Sequence, residues 1–257
     1  MCFILHNEPD WLQLEGFGLH MPNQNFSSDF MSVKNDSQVP WKISDVIFTY
    51  VFIFAFLIFA TGILFLFNVD ANTSLFPAIL QIILSLATLS MIYLIITQKY
   101  HISFLKAFGI SAPKIPAHFI QGIMVSFILV ISTTIVSYMF LQFAGIPKQN
   151  PYVNVPAEKL RMISFLAVFL APFVEEIFFR GFMQPTLVKS LGAFGGIFIT
   201  ALIFGFSHAQ YFDYSVALTA VTAIGLVLGV TRHYTGSIMP GIFAHFLNNL
   251  FAALSMH

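Results

Sequence analysis

Apolar residues gather in seven runs, at about 46–68, 75–97, 118–144, 162–188, 193–212, 214–231 and 238–256. A membrane-crossing helix needs about 20 mostly apolar residues. Each run is therefore read as a span, and the chain as an all-α, polytopic transmembrane helix bundle of about seven spans. The first three runs contain no Asp, Glu, Lys or Arg. The connection 98–116 mixes Lys99, Lys106 and Lys114 with Ile102, Phe104, Leu105 and Phe108, the pattern of an amphipathic segment lying in the interface. Residues 145–161 are rich in Pro and polar residues and read as an exposed loop entering a helix near Pro156 or Ala157. Residues 1–45 hold six of the eleven acids, only Lys34 and Lys42 as bases, and no long apolar run. They lack the basic start and apolar core of a signal peptide. They are read as a flexible N-terminal tail, with Met31 as an alternative natural start, and residues 46–257 as the membrane domain.

Composition agrees with this reading. The chain is 58% hydrophobic and 9% charged, whereas a soluble domain carries roughly a quarter charged residues. Eleven basic and eleven acidic residues cancel, which excludes nucleic-acid binding through a basic face. The one cysteine, Cys2, excludes a disulfide framework and a cysteine zinc site. With the N-terminus on one side, that side holds Lys34, Lys42, Lys99, Lys106, Lys114, Lys189 and Arg232, against Lys148, Lys159 and Arg161 on the other. Basic residues prefer the cytoplasm. The expectation is an integral protein of a bacterial-type inner or plasma membrane, N-terminus inside and C-terminus outside.

Polar groups inside the spans carry the chemistry, because an ionisable residue at mid-bilayer costs about 2.5–3.5 kcal/mol on insertion scales. The fourth run contains Glu175, Glu176 and Arg180, the fifth His208, and the seventh His245, Asn248 and Asn249. These groups should turn inward to a shared polar cavity. Glu176 and Arg180, at i and i+4, share a helix face and can pair. Glu175 lies about 100° round the helix, free of a same-helix partner, which suits a general base. His245 and Asn249 share a face, as do Phe204 and His208, so Phe204 can wall the site against lipid. Counting about 1.5 Å per residue puts Glu175 and His208 both about 21–23 Å from the 189–193 turn, but His245 only about 12 Å from its own turn at Ser237. A meeting with His245 then requires the fourth span to project beyond the bilayer. Pro172 can kink that span and open a pocket. Gly225 and Gly229 form a small-residue packing face. Asn248 is read as a helix–helix hydrogen bond, and His101, His118 and His233 as interfacial.

Several protease chemistries drop out. There is no H-E-x-x-H, no Asp lies in a span, and Ser207 adjoins His208 and so faces another direction. One carboxylate, two imidazoles and a carboxamide remain, a set able to activate water and stabilise an oxyanion, or to bind a metal.

Three motifs in order, Glu175–Glu176 with Arg180 (EExxxR), Phe204 with His208 (FxxxH) and His245 with Asn249 (HxxxN), make the chain resemble the CAAX proteases and bacteriocin-processing enzymes, the CPBP or Abi-type intramembrane proteases. The likeness covers about 160–255 and places a catalytic core in 157–256. It implies an intramembrane endopeptidase, with a site opening to the cytoplasm in the prenyl-protein branch, acting on a peptide or protein substrate that in that branch is lipidated. It implies Glu175 as general base, His208 holding the attacking water, His245 and Asn249 as oxyanion hole, and Glu176 and Arg180 as support. The family has been described both as metal-dependent and as glutamate proteases. If zinc binds, Glu175, His208 and His245 are its expected ligands, but the missing H-E-x-x-H and the carboxamide of Asn249 favour metal-free catalysis. A catalytically idle scaffold or immunity protein and a transporter are the competing classes.

Overall fold

The computed structural model describes residues 39–71, 73, 75–144 and 155–255. Among them the chain is helical throughout. Helices α1 (Ile43–Leu66) and α2 (Leu75–Leu94) form a hairpin, and α2 runs on through a π-helical turn, Ile95–Lys99. A short α3 (Phe104–Ala107) and a 3₁₀ turn (Ala112–Lys114) lead into α4 (Ile115–Ala144). Then follow α5 (Ala157–Phe169), α6 (Ala171–Glu175), a π-helical segment (Glu176–Met183) and α7 (Gln184–Phe206). After a 3₁₀ turn (Ala209–Tyr211), α8 (Ser215–Thr235) and α9 (Met239–Ser255) complete the bundle. Helix α4 packs on both α8 and α9, and α7 packs on α8.

Among the described residues five helical runs are long and apolar enough to cross a membrane: Ile43–Leu66, Leu75–Lys99, Ala112–Phe143, Ala171–Phe206 and Ser215–Thr235. The chain is an integral membrane protein. The 36 residues of Ala171–Phe206 would measure about 54 Å as one straight helix, against a hydrocarbon core of about 30 Å. Gly192 resolves the excess: its φ of +75° breaks the helix, a left-handed conformation glycine adopts without steric penalty. The fourth and fifth expected spans therefore meet at this bend. With the 17 residues of α9, about 26 Å long, the bundle makes about seven passages.

Packing against the membrane helices reaches residues before the expected boundary at 46. Trp41 is 1% exposed, stacks on Phe182 and donates its indole N–H to the Phe182 carbonyl at 2.8 Å. Asp45 is buried, accepts hydrogen bonds from the Lys42 amide and the Tyr100 hydroxyl, and pairs with Lys99. It thereby ties the start of α1 to the end of α2. Residues 39–45 are anchored because an indole buries a large apolar area and a buried carboxylate needs partners. The tail expected over 1–45 otherwise lies, with Met31, outside the described residues. The connection 98–116 also departs from a purely interfacial strip. Leu105 is exposed, but Phe108 is fully buried, edge-on to Phe104 and packed where Gly181 leaves room.

Candidate active site

Pro172 lacks a backbone N–H, and the helix breaks just before it: Leu170, at φ −101°, separates α5 from α6. Immediately after Glu175 the helix loosens into the π-helical segment, in which every residue is buried. Wider turns of this kind are frequent at functional sites. They also rise less per residue than α-helix, and the helical path from 157 to the Gly192 bend is longer than one bilayer crossing. Both features let Glu175 meet His245, which straight-helix counting had left about 10 Å apart in depth.

The two acids are separated by environment. Glu176 and Arg180 have fully buried side chains, with Nη1 3.2 Å from Oε1. Glu175 keeps 23% of its side chain exposed. Arg180 reaches across to donate from Nη2 to the Gly225 carbonyl at 3.3 Å, and one turn on, Gln184 donates to the Gly229 carbonyl at 2.8 Å. Arg180 and Gln184, four apart on one helix, thus meet Gly225 and Gly229, four apart on the next. The small-residue face serves packing and also exposes two carbonyls to buried donors. A Cβ at Gly225 would stand 3.1 Å from the Ala201 backbone, and one at Gly229 3.0 Å from Gln184 Oε1. Arg180 further lies 4.1 Å from the Phe204 ring centroid, a cation–π contact in a dry setting.

His245 stands between the two carboxylates. Its Nδ1 is 3.6 Å from Glu176 Oε1 and its Nε2 is 3.8 Å from Glu175 Oε2. His208 Nδ1 lies 2.8 Å from the Phe204 carbonyl. A carbonyl only accepts, so that nitrogen carries the proton and the neutral ring keeps Nε2 as a bare acceptor. Phe204 touches both imidazoles edge-on, with centroids 4.8 Å from His208 and 6.0 Å from His245. Asn249 donates one amide N–H to the Ala167 carbonyl at 2.8 Å and retains a second. Asn248 bonds to Asn249 Oδ1 at 3.4 Å, beside the site. Ser207 faces Tyr50, its hydroxyl 2.9 Å from the phenol.

Glu175, Phe204, His208, His245 and Asn249 all line one cavity of about 520 Å³. Glu176 and Arg180 stand behind its wall. The remaining lining comes from the start of α2 (Pro77, Gln81), from α5 (Ile163, Ser164), from Ala171 and Phe179, from the 207–211 turn, from α8 (Val221, Ile224) and from the end of α9. Most of those segments share the membrane face opposite the connection 98–116. At that end Gln81, Ser207, Gln210 and Ala252 are exposed, whereas the other end is sealed by buried Ile177, Arg180 and Phe182.

Sequence reasoning did not single out Gln184 or Gly241. A Cβ on Gly241 would fall 2.5 Å from Glu176 Oε2, so only glycine admits the carboxylate there. Gln184 follows Arg180 by four residues, a spacing that could have revealed it. His118, expected at the interface, is 6% exposed, because α4 turns it inward against the 235–237 turn. Among the described residues no three His, Cys, Asp or Glu side chains gather closely enough to hold an ion; Glu175, His208 and His245 share the cavity without converging on one point.

The chain matches the uncharacterized protein YpbD of Bacillus subtilis (strain 168), with 33% identity over 85 residues, 33% of this chain. It spans only 40% of the length of that relative. No solved structure matches. Residues 157–251 match the family described as type II CAAX prenyl endopeptidase Rce1-like, a stretch that contains all three motifs.

Proposed function

We propose that this protein is an intramembrane endopeptidase in which Glu175 activates a water for attack on a peptide bond. The observation that carries the reading is the arrival of Glu175, His208, His245 and Asn249 from three separate stretches of chain on one cavity. In the proposed reaction a water sits between Glu175 and the bare Nε2 of His208. Glu175 takes one proton as the water oxygen bonds to the scissile carbonyl carbon. The resulting oxyanion accepts hydrogen bonds from the second N–H of Asn249 and from His245, whose ring is flanked by carboxylate oxygens on both nitrogens. The C–N bond then breaks, and the proton on Glu175 passes to the departing amine nitrogen. No step passes through a metal; the non-convergent donor set and the carboxamide, a poor zinc ligand, favour the metal-free route. The substrate class we propose is a hydrophobic or lipidated peptide chain, since the cavity lies among membrane helices.

A transport path is the weaker reading, because Glu176 and Arg180 are fully buried, paired with each other and absent from the cavity wall. The test is cleavage by full-length protein in liposomes, using fluorogenic peptides with and without a prenylated cysteine. Cleavage that survives strong chelators and disappears in Glu175→Gln is the expected result. Undiminished cleavage by Glu175→Gln, or flux without cleavage, overturns the assignment.

A further inference from the structure

A second cavity, about 480 Å³, lies at the opposite membrane face from the first, between the connection 98–116 and the α8–α9 turn. Lys106, Lys114, His118, Ser111, Thr235 and Ser237 line it. The two walls are stapled together: the Ile238 amide donates to the Phe108 carbonyl at 3.2 Å. Gly109 packs against the Gly236 backbone so closely that no Cβ would fit, and both glycines have positive φ, +66° and +64°. The cavity is thus built by backbone contact.

Its chemistry is one-sided. Among the described residues no carboxylate lines it and neither lysine has an acidic partner. His118 is 6% exposed, and its Nδ1 has no hydrogen-bond partner among the described residues. A buried polar nitrogen left unpaired is unfavourable, and two ammonium groups at a mouth with hydroxyls beside them match the oxygens of a phosphate. We propose that this cavity binds a phosphate group, carried by an anionic phospholipid headgroup or by free phosphate. Lys106 and Lys114 supply the charge, and His118 supplies a ring nitrogen deeper in. The site stands at the ends of α3 and α4, at headgroup level, on the membrane face that holds most of the bases. The inference is independent of the peptidase reading.

The test uses full-length protein in two arms. In the first, the protein is exchanged into phosphatidylcholine nanodiscs with or without phosphatidylglycerol, and retained lipid is measured by native mass spectrometry. Wild-type protein is expected to retain phosphatidylglycerol selectively. The Lys106→Gln/Lys114→Gln variant should lose roughly 30-fold in retention, and the corresponding double Arg variant should restore it. In the second arm, inorganic phosphate is titrated onto detergent-solubilised protein while the His118 imidazole signal, assigned with His118→Gln, is followed by NMR. Selective lipid retention supports a headgroup site, and a His118 shift with phosphate but no lipid selectivity supports a free-phosphate site. Absence of both in wild-type protein overturns the proposal, a comparison that needs no variant to fold. So does retention that persists in a folded double Gln variant.

Discussion

Adjacent glutamates with different fates are the sharpest feature at the scale of single residues. Glu175 faces a cavity and keeps part of its side chain exposed; Glu176 is sealed against Arg180. One methylene-for-methylene identical side chain should therefore give two different mutant phenotypes. Glu175→Gln removes the proposed base without unburying anything, and kcat should fall by roughly 10²–10⁴ while the unfolding midpoint stays near wild type. Glu176→Gln leaves Arg180 buried without its counter-charge, and removing one partner of such a pair costs about 3–5 kcal/mol. Thermal unfolding in detergent, run beside the cleavage assay, separates the two. Equal loss of stability in both variants would contradict the assignment. Gly241→Ala tests the same pair from the opposite side. A methyl group there meets the Glu176 carboxylate at 2.5 Å, so it should lower stability by about 1–3 kcal/mol, as overpacking does. It should also disturb His245, whose Nδ1 lies 3.6 Å from the other oxygen of the same carboxylate.

Helical elements explain both what could be read from the chain and what could not. Span positions, the break at Pro172 and the Glu176–Arg180 face were legible, because hydrophobic runs, a missing backbone donor and i,i+4 spacing act within one helix. The π-helical segment was not, since nothing local in EIFFRGFM distinguishes it from α-helix; it forms where Arg180 and Gln184 must both reach α8. Trp41 was also missed. A lone aromatic outside an apolar run carries no periodicity, and its site is made by Phe182, 141 residues away in sequence. The four cavity residues were legible as motifs, but only the bundle shows that His245 faces both carboxylates. The contact between α7 and α8 can be tested with two glycines that look alike in sequence. Gly229→Val would push a branched side chain against Gln184 and Ile197, both 3.0 Å from a Cβ, and should lower the unfolding midpoint sharply. Gly62→Ala in α1 meets nothing within 4 Å and should leave stability unchanged or raise it by about 0.4–1 kcal/mol. Similar losses at both positions would mean that α8 is not held through this face.

Sidedness decides what the proposed peptidase could reach, and two expectations drawn from the sequence cannot both hold. Counting bases puts the N-terminus and the Lys-rich connections in the cytoplasm. The cavity lining comes from the other face: the start of α2, α5, the turn after α7 and the end of α9. That face holds three of the bases counted in the connections, Lys148, Lys159 and Arg161, against seven on the opposite one. A site opening to the cytoplasm, as in the prenyl-protein branch, therefore requires the reverse orientation from the one the basic residues favour. We propose that the charge asymmetry prevails and that substrates enter from the extracytoplasmic side. Cys2 is the one native cysteine, so a Cys2→Ser background gives clean reporters. Gln210→Cys stands at the cavity mouth and Ser190→Cys beside the Gly192 bend, both at exposed positions. A membrane-impermeant maleimide applied to intact cells should label Gln210→Cys and spare Ser190→Cys until the membrane is opened. The reverse pattern would place the cavity in the cytoplasm and restore the prenyl-branch geometry. Labelling of both from outside would mean that the two turns do not lie on opposite faces, and the membrane path of α5 to α7 would have to be redrawn.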